Sequence, residues 1–153
     1  MRIAVGSDEA TQLTAAVVED LRERGHDVKL FGPLEGRSDP WPQVGQDVGA
    51  AVAAGDADQG VLFCWTGTGV SIAANKVPSI RAALCHDAET ARGARIWNHA
   101  NVLVMSLRAT PPVIAREMLD AWFATPPGED AEDQACVEQI AQIESRYAPP
   151  AKR

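Results

Sequence analysis

The chain has 153 residues, an apolar share of 46% and a formal net charge of −7. That length fits one domain able to enclose a continuous core, and no apolar run is long enough to span a bilayer. The charge repels phosphate backbones, and no Lys/Arg block interleaved with aromatics offsets it, so neither nucleic acid nor a membrane is an expected partner.

Met1 leads straight into Arg2-Ile3-Ala4-Val5, a first strand over residues 3–6 rather than a secretory leader, which would need a longer apolar run and a small-residue cleavage site. A cytoplasmic location is the expectation. Leu13, Val17 and Leu21 recur every four residues with Val18 beside them, which predicts a helix over 11–24 stopped by Gly25. Residues 26–31 form a second strand closed by Gly32-Pro33, and 36–42 a loop rich in Gly, Pro and Asp. A small-residue helix follows at 44–54. Residues 60–64 are uniformly apolar, as in a parallel strand covered on both faces. Gly67, Thr68 and Gly69 then open a short helix reaching Lys76.

A fourth strand is expected at 80–85, a helix at 88–97 and a fifth strand at 101–105. Pro111-Pro112 opens a helix with Ile114, Met118 and Trp122 on one face. After a second stop at 125–128, the last helix carries Cys136, Val137, Ile140 and Ile143. No repeat or interdomain linker interrupts the pattern, so residues 1–147 read as one α/β domain with a loose Pro-rich tail over 148–153. Alternating strands and helices give a five-stranded parallel sheet with helices on both faces. Ligands in such sheets bind beyond the carboxyl ends of the strands, so residues 6–9, 32–41, 64–71, 85–87 and 105–108 are expected to share one crevice.

Residues 64–71, Cys-Trp-Thr-Gly-Thr-Gly-Val-Ser, are the most informative stretch. Their glycines let the backbone curl so that successive amide N–H groups face a phosphate, a carboxylate or a developing enediolate oxygen. The Walker lysine is missing, and the first strand runs into Gly6-Ser7-Asp8-Glu9 rather than a dinucleotide fingerprint. Cys64 stands at the mouth of this turn. By itself it reads as a small buried strand-end residue, the usual fate of a free cysteine, ahead of a thiol acting as base or nucleophile. Cys64, Cys85 and Cys136 are too few and too scattered for a disulfide framework or a structural zinc site, and no metal or cofactor is called for.

The run over residues 60–76, with Ile80-Arg81-Ala82-Ala83-Leu84-Cys85-His86-Asp87, closely resembles the ribose-5-phosphate isomerase B family, which includes the subunits of galactose-6-phosphate isomerase. Ile3-Ala4-Val5-Gly6-Ser7-Asp8, Asn98, Asn101-Val102-Leu103 and Arg108 fall in the family's order, and the likeness covers about residues 1–145. The resemblance implies a three-layer Rossmann-like fold, a homodimer with active sites at the subunit interface, and a small-molecule sugar or sugar phosphate as substrate. It implies aldose–ketose isomerisation through an enediolate, with Cys64 as the base. Asp8 and Thr66 would handle hydroxyls or ring opening. Gly67, Thr68, Gly69, Val70 and Ser71, with Asn98, would form the oxyanion cradle, and Arg108 would be a binding residue.

The chain also departs from that family around the pocket. Glu9 replaces a phosphate-binding histidine, and Trp97 replaces the ring-opening histidine, with His99 two places later as the substitute. Val44 takes the place of a tyrosine beside the sugar. The late phosphate-clamp arginines fall on Glu132 and Cys136. The leading expectation is therefore an isomerase acting on a sugar other than ribose 5-phosphate. The alternative is a non-catalytic sugar-binding homologue or partner subunit. A flavodoxin-like nucleotide module is disfavoured because Gly6-Ser7-Asp8-Glu9 offers no phosphate loop.

Overall fold

The computed structural model describes residues 1–148; apart from Ala148, the expected tail lies outside the described residues. Five strands, β1 (Arg2–Ser7), β2 (Asp27–Phe31), β3 (Gln59–Cys64), β4 (Ala82–Leu84) and β5 (Val102–Ser106), form one parallel sheet in the order β2-β1-β3-β5-β4. Between and after them run α1 (Gln12–Glu23), α2 (Trp41–Ala53), α3 (Thr68–Ala74), α4 (Ala88–Asn98), α5 (Pro112–Ala124) and α6 (Ala131–Tyr147), with a 3-10 turn at Gly32–Glu35.

The central strands are buried on both faces, and the alternation of their side chains sorts them into two cores. Ile3, Val5, Val61, Phe63, Leu103 and Met105 face one way, onto Leu13 and Val17 of α1, Ala91 of α4 and Trp122 of α5. Ala4, Leu62, Cys64, Val102 and Val104 face the other way, onto Val44 and Val48 of α2 and Val70 and Ala74 of α3. Cys64 therefore belongs to the α2/α3 side. Gly45 lets those two helices close up, since a Cβ there would lie 2.8 Å from the Ala73 Cβ and 2.9 Å from the Val70 carbonyl oxygen.

Strand order also fixes where a crevice opens. The chain leaves β1 toward β2 on one side, and leaves β3 toward β5 and β4 on the other. The carboxyl ends of β1 and β3 thus flank the point where the winding reverses, the usual ligand position in an open α/β sheet. Ser7 pairs with Phe63 there, so Asp8 and Cys64 follow on adjacent strands.

Three elements differ from expectation. The helix expected at 44–54 begins at Trp41, because Pro42 sits in its first turn, where no intrahelical N–H is required. The strand expected at 80–85 narrows to Ala82–Leu84. Ahead of it side chains hold the backbone: the Asn101 Oδ1 accepts from the Arg81 N–H at 2.8 Å, and the Asn75 amide accepts from the Ala82 N–H at 2.8 Å and donates to the Ala82 carbonyl at 2.9 Å. The apolar positions of the last helix find no cover. No residue of α6 is buried, and Ile140 and Ile143 are 38% and 54% exposed. None of the helices described is long and apolar enough to cross a membrane.

Candidate active site

β1 runs into a tight turn in which the Ser7 Oγ donates to the Glu9 carbonyl at 2.6 Å and accepts from the Glu9 N–H at 3.2 Å. That turn leaves Asp8 half-buried and Glu9 exposed at the end of the sheet. Burial raises the Asp8 carboxyl above its ordinary value, its own backbone N–H opposes this, and the Glu9 charge adds to the rise.

On the neighbouring strand the Cys64 carbonyl accepts the N–H groups of Gly67 at 3.1 Å and Leu107 at 3.0 Å, which ties the turn to the end of β5. The Trp65 carbonyl is fixed in the same way, by the Arg108 N–H at 3.1 Å and the Ser106 Oγ at 2.9 Å. Gly67 has φ +79°, and a Cβ there would fall 2.5 Å from the Leu84 Cδ1 and 3.2 Å from the Met105 backbone, so this position requires glycine. With Gly67 as N-cap, α3 begins at Thr68, and Ser71 is the first residue whose N–H bonds back, to the Gly67 carbonyl at 3.2 Å. The amides of Thr68, Gly69 and Val70 have no intrahelical acceptor and remain donors for a ligand.

These groups meet in a hollow of about 330 Å³ lined by Asp8, Trp41, Cys64, Trp65, Thr66, Thr68 and Gly69. Cys64 is 5% exposed. The Thr66 and Thr68 hydroxyls are hydrogen-bonded at 2.6 Å, so one can pass its proton along while the other faces a substrate hydroxyl. Ser71 and Val70 lie in the first turn of α3 below the rim, Val70 fully buried in the α2/α3 core. Arg108 is exposed at the end of β5, and among the described residues it is in no ion pair.

The other expected site residues are elsewhere in the chain. α4 carries Trp97 and Asn98 to the start of β5, where Asn101 bonds to Gly60 at the far end of β3 from Cys64. Gly60 and Cys64 are four steps apart along the strand, about 13 Å. Trp97 is 53% exposed beside β4, and Asn98 lines a second hollow there with Ile140, Ile143 and Glu144. His99, expected to replace the ring-opening histidine, is not brought to Cys64. It caps α4 at φ +47° and its Nε2 lies 3.0 Å from the Gly128 carbonyl, holding the following loop. Val44, expected beside the sugar, is fully buried against Gly6 and Gly32; Trp41 stands at the pocket instead. Asp87 accepts from the Thr90 N–H at 2.7 Å as the cap of α4, and His86 is exposed next to it. Arg95 is 8% exposed and committed to the carbonyls of Thr125 and Ala100, so it offers nothing to a phosphate.

Trp41 and Trp65 are the pocket residues that the sequence reading leaves out. The signal was available in Pro40-Trp41-Pro42, a tryptophan in a Pro-rich loop that belongs to no apolar period. Among the described residues, no cluster of three or more His, Cys, Asp or Glu side chains is placed to hold a metal ion.

One expectation follows from the Asp8 environment. A carboxyl whose folded pKa is raised favours folding below its unfolded pKa and loses that contribution as pH rises through the folded value. At neutral pH the charged Asp8 is thus a stability cost. Asp8→Asn should raise the midpoint of thermal unfolding slightly at pH 7, leave it unchanged near pH 3, and lower kcat. Equal losses of stability and activity in Asp8→Asn at pH 7 would make it a structural residue.

Comparison with known proteins gives a consistent result. Residues 3–140 match the family described as Ribose/Galactose Isomerase. The chain is similar to ribose-5-phosphate isomerase B of Escherichia coli, 37% identical over 95% of this chain and 97% of that protein. It is also similar to D-erythrulose-4-phosphate isomerase of Pectobacterium atrosepticum, 36% identical over 80% of this chain and 82% of that one. Among solved structures, ribose-5-phosphate isomerase B of Clostridium thermocellum superposes with a TM-score of 0.90 at 35% identity, covering 97% of this chain and 100% of that one.

Proposed function

The chain belongs to the ribose/galactose isomerase family, and on that premise we propose that it is an aldose–ketose isomerase working through an enediolate, with Cys64 as the proton-transferring base. The observation that carries this is the placement of Cys64 in one hollow with Asp8, Thr66 and the unpaired amides of the turn. In the aldose-to-ketose direction the Cys64 thiolate takes the proton from C2, and negative charge develops on the C1 oxygen. The amides of Thr68, Gly69 and Val70 are the donors for that charge. The resulting thiol returns the proton at C1, while the hydroxyl proton moves between O2 and O1 with Asp8 and Thr66 as its carriers. His99 is left out of this set because its ring is engaged at Gly128.

A second reading, a sugar-binding homologue without turnover, is favoured by the lack of any histidine beside Cys64 within the chain. The test is incorporation of solvent deuterium at C1 or C2 of phosphorylated and unphosphorylated sugars of four to six carbons. Exchange into any of them supports the isomerase. Saturable binding with neither exchange nor interconversion supports the second reading.

A homodimer belongs to the same proposal. β4 is an edge strand, and beside it lie the exposed Trp97, Ile140 and Ile143, an apolar surface that a second copy of the chain would cover. Asn98 lies in the same region and would reach a Cys64 pocket across that interface. Sedimentation at micromolar concentration is expected to show a dimer. A monomer that is fully active would contradict an interface-built site. A reduced thiol as base and a sugar phosphate as substrate both suit the cytoplasm.

A further inference from the structure

Three of the four tryptophans are substantially exposed, and two of these, Trp41 at 42% and Trp65 at 60%, border the Cys64 hollow; Trp122, by contrast, is 1% exposed in the core. The Trp41 indole packs against the turn. A Cβ built on Gly69 would be 3.0 Å from its Cδ2 and Cε3, so Gly69 has no side chain because the ring occupies that space. Pro40 and Pro42 bracket Trp41, and their fixed φ limits how far its backbone can swing. Trp65 is held from behind by the two hydrogen bonds to its carbonyl. The backbone that carries each ring is therefore fixed, and an indole gives up little conformational freedom on binding. Asp8 is the charged residue that lines this hollow; the exposed Glu9 follows it after β1, and the exposed Arg108 follows β5.

We propose that Trp41 and Trp65 are specificity-determining walls that receive the C–H faces of the sugar's carbon chain, so that recognition of the skeleton is aromatic and separate from recognition of any phosphate. This rests on the isomerase reading for the identity of the ligand class. Contacts with an aromatic face do not depend on ionic strength, whereas a phosphate contact does. The walls should hold a sugar and its phosphate ester alike.

Equilibrium titration of D-ribose and D-ribose 5-phosphate into the full-length protein, at low and high salt, tests this with Trp41→Leu, Trp41→Phe, Trp65→Leu and Trp65→Phe. Leucine keeps apolar cover over Gly69 but offers no ring face. The leucine variants are expected to weaken binding of both sugars about threefold to tenfold, equally at both salt concentrations, while the phenylalanine variants retain most of the affinity. Where turnover is measurable, the loss should fall on KM and not on kcat. Leucine variants that bind both sugars as tightly as the wild type overturn the proposal, as does a loss confined to the phosphate ester. Absence of turnover with every sugar of four to six carbons would remove the isomerase reading while the titration still decides the walls. Wild-type protein that binds neither ribose nor its phosphate would overturn the walls and leave the isomerase reading to the other sugars.

Discussion

Cys64→Ala is expected to abolish isomerisation and leave sugar binding intact. General base catalysis contributes about 10²–10⁴-fold, and a loss in that range or beyond is expected in kcat. The donors that hold the substrate oxygens are backbone amides of α3, and their positions are set by Gly67 and by the carbonyl of residue 64, which alanine also supplies. One sulfur atom is removed from a 5% exposed position, so the fold should survive with at most a modest drop in melting temperature. Thiol labelling separates the three cysteines. Cys136 is exposed and should react first, whereas Cys85 is fully buried and burial pushes its thiol up to about 12, which makes it inert in the native protein. In a Cys136→Ser background, alkylation should therefore report Cys64, and bound sugar should slow it. Full activity in Cys64→Ala would move the base to another group, with Glu9 next in line.

The second large effect concerns charge. Ribose 5-phosphate is expected to be a poor substrate, because Asp8 lines the hollow and the exposed Glu9 follows it at the end of β1. Two unit charges about 4 Å apart interact by about 1 kcal/mol in water-like surroundings and about 4 kcal/mol at an intermediate dielectric. Glu9 is exposed, so the lower figure applies to it, about fivefold in affinity, and added salt should erode it. Arg95 cannot compensate from its buried position, whereas Arg108, exposed just after β5, is a cation that could. Glu9→Gln should accordingly improve kcat/KM for the phosphate ester about fivefold at low salt and leave the unphosphorylated sugar unaffected. Arg108→Ala should do the reverse for the ester alone. Efficient wild-type turnover of ribose 5-phosphate, with no response to Glu9→Gln, would make this an ordinary phosphate isomerase with a rebuilt anion site.

Much of the fold was legible because its signals are local. The uniformly apolar run at Val61, Leu62 and Phe63 announces a strand covered on both sides, and the four-residue spacing of Leu13, Val17 and Leu21 announces α1. The strand-to-helix turn after β3 was legible as a junction too, since Gly67 and Gly69 mark it, and Gly67 takes the left-handed φ of +79° that such a junction uses. What the sequence hid is set by packing between distant residues. Val44 looked like a pocket position by alignment, yet α2 starts early at Trp41 and turns Val44 into the core. Trp97, Asn98 and His99 follow one another closely, but the direction of α4 carries all three to the opposite end of the sheet from Cys64. Neither result follows from residue types alone, because a helix start and a helix direction depend on what the rest of the chain leaves open.

The most direct measurement is the exchange of solvent deuterium into C1 and C2 of the bound sugar, followed by nuclear magnetic resonance in wild-type protein and in Cys64→Ala at matched occupancy. Proton transfer by Cys64 predicts interconversion of the sugar in the wild type, with solvent deuterium entering C1 or C2 to the extent that the thiol exchanges before returning its proton, and loss of both in Cys64→Ala while the sugar remains bound. Exchange that continues undiminished in Cys64→Ala would contradict the assignment of the base. A wild-type protein that binds sugars and neither exchanges nor interconverts any of them would contradict the isomerase itself.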